Sequence, residues 1–104
     1  MADDEYVVAM GKLLALSERM LDYLQQQNWL AARDLERERQ ALIAHFPPLP
    51  AAPQAIEQAH ALAARAEQCN RRLLELGRQQ LQRYTRDKAI FDQRRRAVQA
   101  YSSG

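Results

Sequence analysis

Gln25-Gln26-Gln27-Asn28-Trp29-Leu30 joins two runs of different apolar pattern and is followed by Leu35-Glu36-Arg37-Glu38-Arg39. A short polar turn between two amphipathic runs folds them back on each other as antiparallel neighbours. A Pro-rich corner and a third, much longer run follow. The pattern predicts an all-α fold, an antiparallel three-helix bundle made of a helical hairpin plus one long helix, in a single domain over 1–104. Such an object offers surfaces to bind rather than groups to react.

On the N-terminal side of the turn the first helix is expected over about 3–26. Tyr6, Met10, Leu13, Leu14, Leu21 and Leu24, with Ser17 and Met20, recur at three- and four-residue spacing and so share one helical face. Asp3, Asp4 and Glu5 stand in the first turn, where negative charge meets the positive end of the helix dipole and an Asp can cap free N–H groups. On the other side, the Asn28 side chain can accept from N–H groups two and three residues on, making it the N-cap of a helix over about 29–45. That helix carries Ala32, Leu35, Leu42, Ile43 and Phe46 as its stripe. Arg39 falls where another apolar residue would be expected. It is either an edge residue whose stem covers the core or a group held for recognition.

Pro47-Pro48-Leu49-Pro50 and Pro53 remove backbone donors and end the second helix near Phe46, leaving a semi-rigid corner over 47–53. A proline-motif ligand is the sharper reading of so short a connector, and the spacer is the simpler one. Beyond the corner, Ile56, Ala59, Ala63, Ala66, Leu73, Leu76, Leu81 and Tyr84 read as the main stripe of a helix over about 54–86 or further, with Leu62 and Leu74 as a second row. The main stripe can be continued to Phe91 and Val98. At 1.5 Å per residue, residues 54–86 span roughly 50 Å, whereas the second helix spans about 26 Å. Leu81, Tyr84 and Phe91 therefore need cover from the first helix, the chain's own tail, a second copy in a homodimer, or a partner protein.

Of 104 residues only three are Gly, and the four Pro cluster at the corner, so strong helix breakers are otherwise scarce. One cysteine, Cys69, makes an internal disulfide impossible and fits a reducing compartment. No apolar run reaches the roughly 18 residues of a membrane span, and Met1-Ala-Asp-Asp-Glu5 is acidic where a secretory signal is basic. A cytoplasmic location without membrane contact is expected. The formal net charge of +2 hides an asymmetry: residues 1–46 hold eight acids and five bases, residues 47–104 five acids and ten bases. Thirteen of the fifteen bases are Arg, which forks onto carboxylates as readily as onto phosphate.

His45 and His60 flank the corner with no Asp, Glu or Cys at metal-ligand spacing, and read as solvent-facing or capping residues. A lone helical thiol gives no oxyanion donors, and no Gly-rich phosphate loop is present. Neither an enzyme nor a cofactor is implied. Arg71-Arg72, Arg78, Arg83, Arg86, Lys88 and Arg94-Arg95-Arg96, with Tyr84, Phe91 and Tyr101 to stack on bases, keep a nucleic-acid or transcription-factor-binding bundle as the rival reading. Glu75, Asp87 and Asp92 interleave, however, as on a solvated face laced with local ion pairs. Trp29 is most simply a ring closing the bundle end over Leu24, with a partner hot spot as its other reading.

Taken in order, Leu13-Leu14-x-Leu16-Ser17, the turn ending in Asn28-Trp29, Leu35-Glu36-Arg37-Glu38-Arg39, the Pro corner and one long helix resemble the FliT family of flagellar type III export chaperones, over residues 10–101. The resemblance implies a helical bundle that keeps a flagellar substrate, chiefly the filament cap protein, soluble and unassembled in the cytoplasm. It further implies contacts with the export ATPase complex, the export gate or the flagellar transcriptional activator. The substrate-binding side of the family maps onto the third helix, which puts forward Leu74, Leu81, Tyr84 and Phe91, with Arg78 and Arg86 as charged contacts. Some members carry a further C-terminal helix over this surface; here the sequence after Ala100 is Tyr101-Ser102-Ser103-Gly104, which leaves no full fourth helix to be expected.

Overall fold

Helix α1 spans Ala2–Gln25, α2 Trp29–Ala44 and α3 Pro53–Ser103, in a computed structural model that describes residues 2–103, with side chains from 4 to 102. The fold is all-α; α1 packs against both α2 and α3, and no strand occurs among the described residues. The chain divides into two units, Met1–Leu74 and Glu75–Gly104.

The first unit turns on the segment that decides the fold. After α1, Gln27 adopts a left-handed backbone at φ 61°, the Asn28 N–H donates to the Tyr23 carbonyl at 2.8 Å and the Gln27 N–H to the Leu24 carbonyl at 3.0 Å. This paired closure satisfies carbonyls that a helix end leaves orphaned, at a cost of roughly 1 kcal/mol because Gln rather than Gly takes the left-handed position. Asn28 caps α2: its side-chain oxygen accepts from the Ala31 N–H at 3.2 Å. The side chain of Asp3, expected to help cap α1, lies outside the described ones.

α2 ends because prolines follow it. The His45 and Phe46 N–H groups donate three residues back, each at 3.3 Å, tightening the last turn. His45 is exposed and its Nδ1 lies 3.3 Å from the Ala41 carbonyl, a capping contact. Phe46 meets Tyr6 edge to face, with centroids 5.1 Å apart, and so ties the corner to the start of α1. Pro53 opens α3 at the position where a missing N–H costs nothing.

The core is thin and built on small residues. Ala9, Met10, Leu14, Met20, Ala32, Leu35, Ala55, Ala59, Cys69 and Leu73 are buried, and Met20, Leu35, Cys69 and Leu73 bring all three helices together. Ser17, 1% exposed, keeps its hydroxyl satisfied on the Leu13 carbonyl at 2.9 Å. Two sequence expectations require correction. On α3 the inward seam is Ala55, Ala59, Leu62, Ala66, Cys69, Leu73 and Leu76, whereas Ile56 is 39% exposed and Ala63 faces solvent. Ala and Cys allow closer approach of the helix axes than Ile would, so the register rests on the small residues and turns Ile56 outward. On α2, Ile43 is exposed rather than part of the stripe, while Leu42 and Phe46 are half-buried.

Candidate partner-binding surfaces

Arg39 is a structural residue. It donates from Nε to Glu36 Oε2 at 2.9 Å and from Nη2 to Glu36 Oε1 at 3.2 Å, and reaches Asn70 of α3 at 3.5 Å. Gln40 adds a bond to Glu36 Oε1 at 2.8 Å. Burial pushes the Glu36 carboxyl up, but the hydrogen bonds from Arg39 and Gln40 and the Arg39 charge outweigh it and hold the group below its ordinary range. The network lies mostly within α2 and touches α3 through the long Arg39–Asn70 contact.

Above it, where α1 ends, α2 begins and α3 passes, Leu24, Trp29, Arg33, Leu73 and Leu74 line an open groove of about 290 Å³. Leu74 stands on its rim, 63% exposed, and Trp29 presents part of its ring. The turn composition is what opens it: the Asn28 cap starts α2 with Trp29 in the first turn, beside Leu24 from the last turn of α1. This groove belongs wholly to the first unit.

The second unit is one stretch of α3 with no other element in it to pack against. Leu81, Tyr84 and Phe91 are 65%, 64% and 63% exposed, and Val98 and Tyr101 are exposed with them. Tyr84, Phe91 and Val98 recur every seven residues and so fall along one line of the helix, with Leu81 one turn before Tyr84 at its edge. Arg78 and Arg86 are exposed, but stand farther round the helix from this line than Arg83, Lys88, Arg94 and Arg95. The four apolar and aromatic candidates thus fall on two surfaces, Leu74 on the groove and Leu81, Tyr84 and Phe91 on the helix face. Missed at the level of sequence were the groove itself, whose residues come from three helices, and Arg33, which sits outside the periodic rows.

Neither surface carries reactive chemistry. Burial pushes the Cys69 thiol up, Glu18 adding to the shift, Arg39 opposing it and Asp22 adding a little more, so the thiol stays protonated in neutral solution. Among the described residues no three His, Cys, Asp or Glu side chains converge on a metal site, and no helix is long and apolar enough to cross a membrane.

Comparison with known proteins decides which kind of binding bundle this is. A family model described as Flagellar protein FliT matches residues 7–103. The chain belongs to the FliT family. Membership of FliT carries a flagellar export-chaperone role and no enzymatic one, in keeping with surfaces built of apolar side chains and arginine. No curated protein and no solved structure matches the chain significantly.

Proposed function

We propose that the protein is a cytoplasmic flagellar export chaperone that holds the amphipathic C-terminal segment of a filament cap protein, preventing premature assembly and aiding delivery to the export apparatus. The reading is supported chiefly by one observation: Leu81, Tyr84 and Phe91 stand about two-thirds exposed on a helical segment whose own unit offers them no packing partner. A filament subunit assembles by burying apolar helical surface, and a chaperone covers that surface reversibly. Fully burying a Leu- or Phe-sized side chain contributes about 1.5–3 kcal/mol. Covering the exposed parts of these three would then contribute about 3–6 kcal/mol, a factor of about 10² to 10⁴ in affinity.

Leu74 at the groove rim is proposed as a further contact, and Arg78 and Arg86 as charged ones. The export ATPase complex, the export gate and the flagellar transcriptional activator are proposed as additional partners, each needing surface that the substrate leaves free. The test is capture of a recombinant cap protein by the Leu81→Asp, Tyr84→Asp double variant. Expected is a loss of at least about a hundredfold in affinity with helicity retained, since two apolar contacts become buried charges. Unimpaired capture would reject the site.

A further inference from the structure

We propose that the partner of the Tyr84–Phe91–Val98 face is an acidic amphipathic helix, one whose apolar stripe is flanked by Asp and Glu; this rests on the chaperone reading and specifies the chemistry of its substrate. The flanks carry the argument. Between Phe91 and Val98 the two sides of the apolar line are held by Arg94 and Arg95, and between Tyr84 and Phe91 by Asp87 and Lys88, with Arg83 beside Tyr84. Arg83, Lys88 and Arg94 form no ion pair among the described residues, and Arg95 is held only loosely, 3.9 Å from Asp92. The unit as a whole has seven bases, Arg78, Arg83, Arg86, Lys88, Arg94, Arg95 and Arg96, against three acids, Glu75, Asp87 and Asp92.

Apolar residues attract any greasy helix, so charge must select among them. Unpaired guanidinium groups at the rim of an apolar stripe favour carboxylates, speed encounter and set register, whereas like charge on the partner costs affinity. The same excess disfavours a second copy of this segment, which would bring seven more bases. Asp87 and Asp92 interrupt the basic rim, so a discrete helix that carries its carboxylates opposite Arg94 and Arg95 fits it better than a uniformly anionic lipid surface, which would meet these two acids as well. The distribution also sets direction: carboxylates on the partner gather opposite the Phe91–Val98 end, where both flanks are Arg.

The test uses the full chain and three synthetic helical peptides sharing one Leu stripe, with flanks of Glu, Gln or Lys. Expected at low salt is a Glu-flanked peptide binding at least about tenfold tighter than the Gln-flanked one, with the Lys-flanked one weakest. In about 1 M salt, where the Debye length is about 3 Å, the Glu and Gln peptides converge to within about twofold. An Arg94→Gln, Arg95→Gln variant should lose the Glu preference yet bind the Gln peptide as before. Equal binding of all three peptides overturns the charge selection while leaving the apolar-helix reading intact. Failure of all three with the cap protein still captured also overturns it, and loss of cap-protein capture as well strikes the chaperone reading itself. Tighter binding to anionic phosphatidylserine vesicles than to the Glu peptide, or a concentration-dependent dimer abolished by Phe91→Asp, would assign the face to a membrane or to a second copy and overturn the proposal.

Discussion

Truncating Leu73 and Leu81 separately distinguishes a core position from an exposed one on the same helix. Leu73 is 8% exposed and packs with Met20, Leu35 and Cys69, whereas Leu81 is 65% exposed. Removing a buried Leu side chain to Ala costs about 2–5 kcal/mol, because the transfer energy is lost and the cavity collapses only partly. Folded chains hold about 0.05–0.15 kcal/mol per residue, so the 74 residues of the first unit have about 4–11 kcal/mol in all. Leu73→Ala therefore removes a large share of it. With a urea slope near 1 kcal/mol per molar for a unit this small, the midpoint should fall by about 2 M or more. Leu81→Ala should change the stability by less than about 0.5 kcal/mol and so move the midpoint by less than about 0.5 M. Trp29, the single tryptophan, lines the groove beside Leu24 and Leu73 and reports the transition by fluorescence. Leu73→Met should cost less than about 1.5 kcal/mol and guards against the Ala variant failing to fold. Equal shifts for Leu73→Ala and Leu81→Ala, or a Leu73→Ala cost below about 1 kcal/mol, would refute this division of the helix.

Asn28→Ala should destabilise the first unit by about 1 kcal/mol in the same urea titration, through loss of the bond to the Ala31 N–H. Glu36, held below its ordinary range in the folded state, contributes stability that is fully present above the unfolded carboxyl value and is lost as pH falls through the folded one. Thermal melts of wild type and Glu36→Gln should accordingly differ at neutral pH and converge in acid, and a constant difference across that window would remove the assignment. Cys69, buried with its thiol pushed up, should react with iodoacetamide far more slowly in the native protein than in urea at the same pH, as followed by mass shift.

Much of the architecture is legible in local chemistry. The Asn28 cap, the end of α2 before Pro47 and the start of α3 at Pro53 each follow from one residue's backbone preference, and each needs no tertiary knowledge. The register of α3 was not legible in the same way. Ile56 outranks Ala55 in apolar size, so periodicity weighted by size selects the wrong neighbour, while the decisive quantity is how closely two helix axes approach. Arg39 stayed ambiguous for a related reason: Glu36 is visible three residues away, but Asn70 lies on another helix and only the fold brings it within reach. The groove around Trp29 has the same origin, since Leu24, Trp29 and Leu73 come from different helices. Leu81, Tyr84 and Phe91, by contrast, could be picked out as apolar residues in need of cover, and what the structure adds is their exposure and the basic side chains beside them.

Hydrogen exchange by mass spectrometry, on the free chain and on its complex with a cap protein, tests most directly whether residues 75–103 form a helix that lacks packing of its own until a partner arrives. Most helical stability in proteins comes from packing of an amphipathic face, and this segment has no such packing within its own unit. Its amides should exchange fast in the free protein while those around Leu14, Leu35 and Cys69 are protected, and should become protected in the complex. Slow exchange of the segment already in the free chain, or no change on binding, would contradict the account.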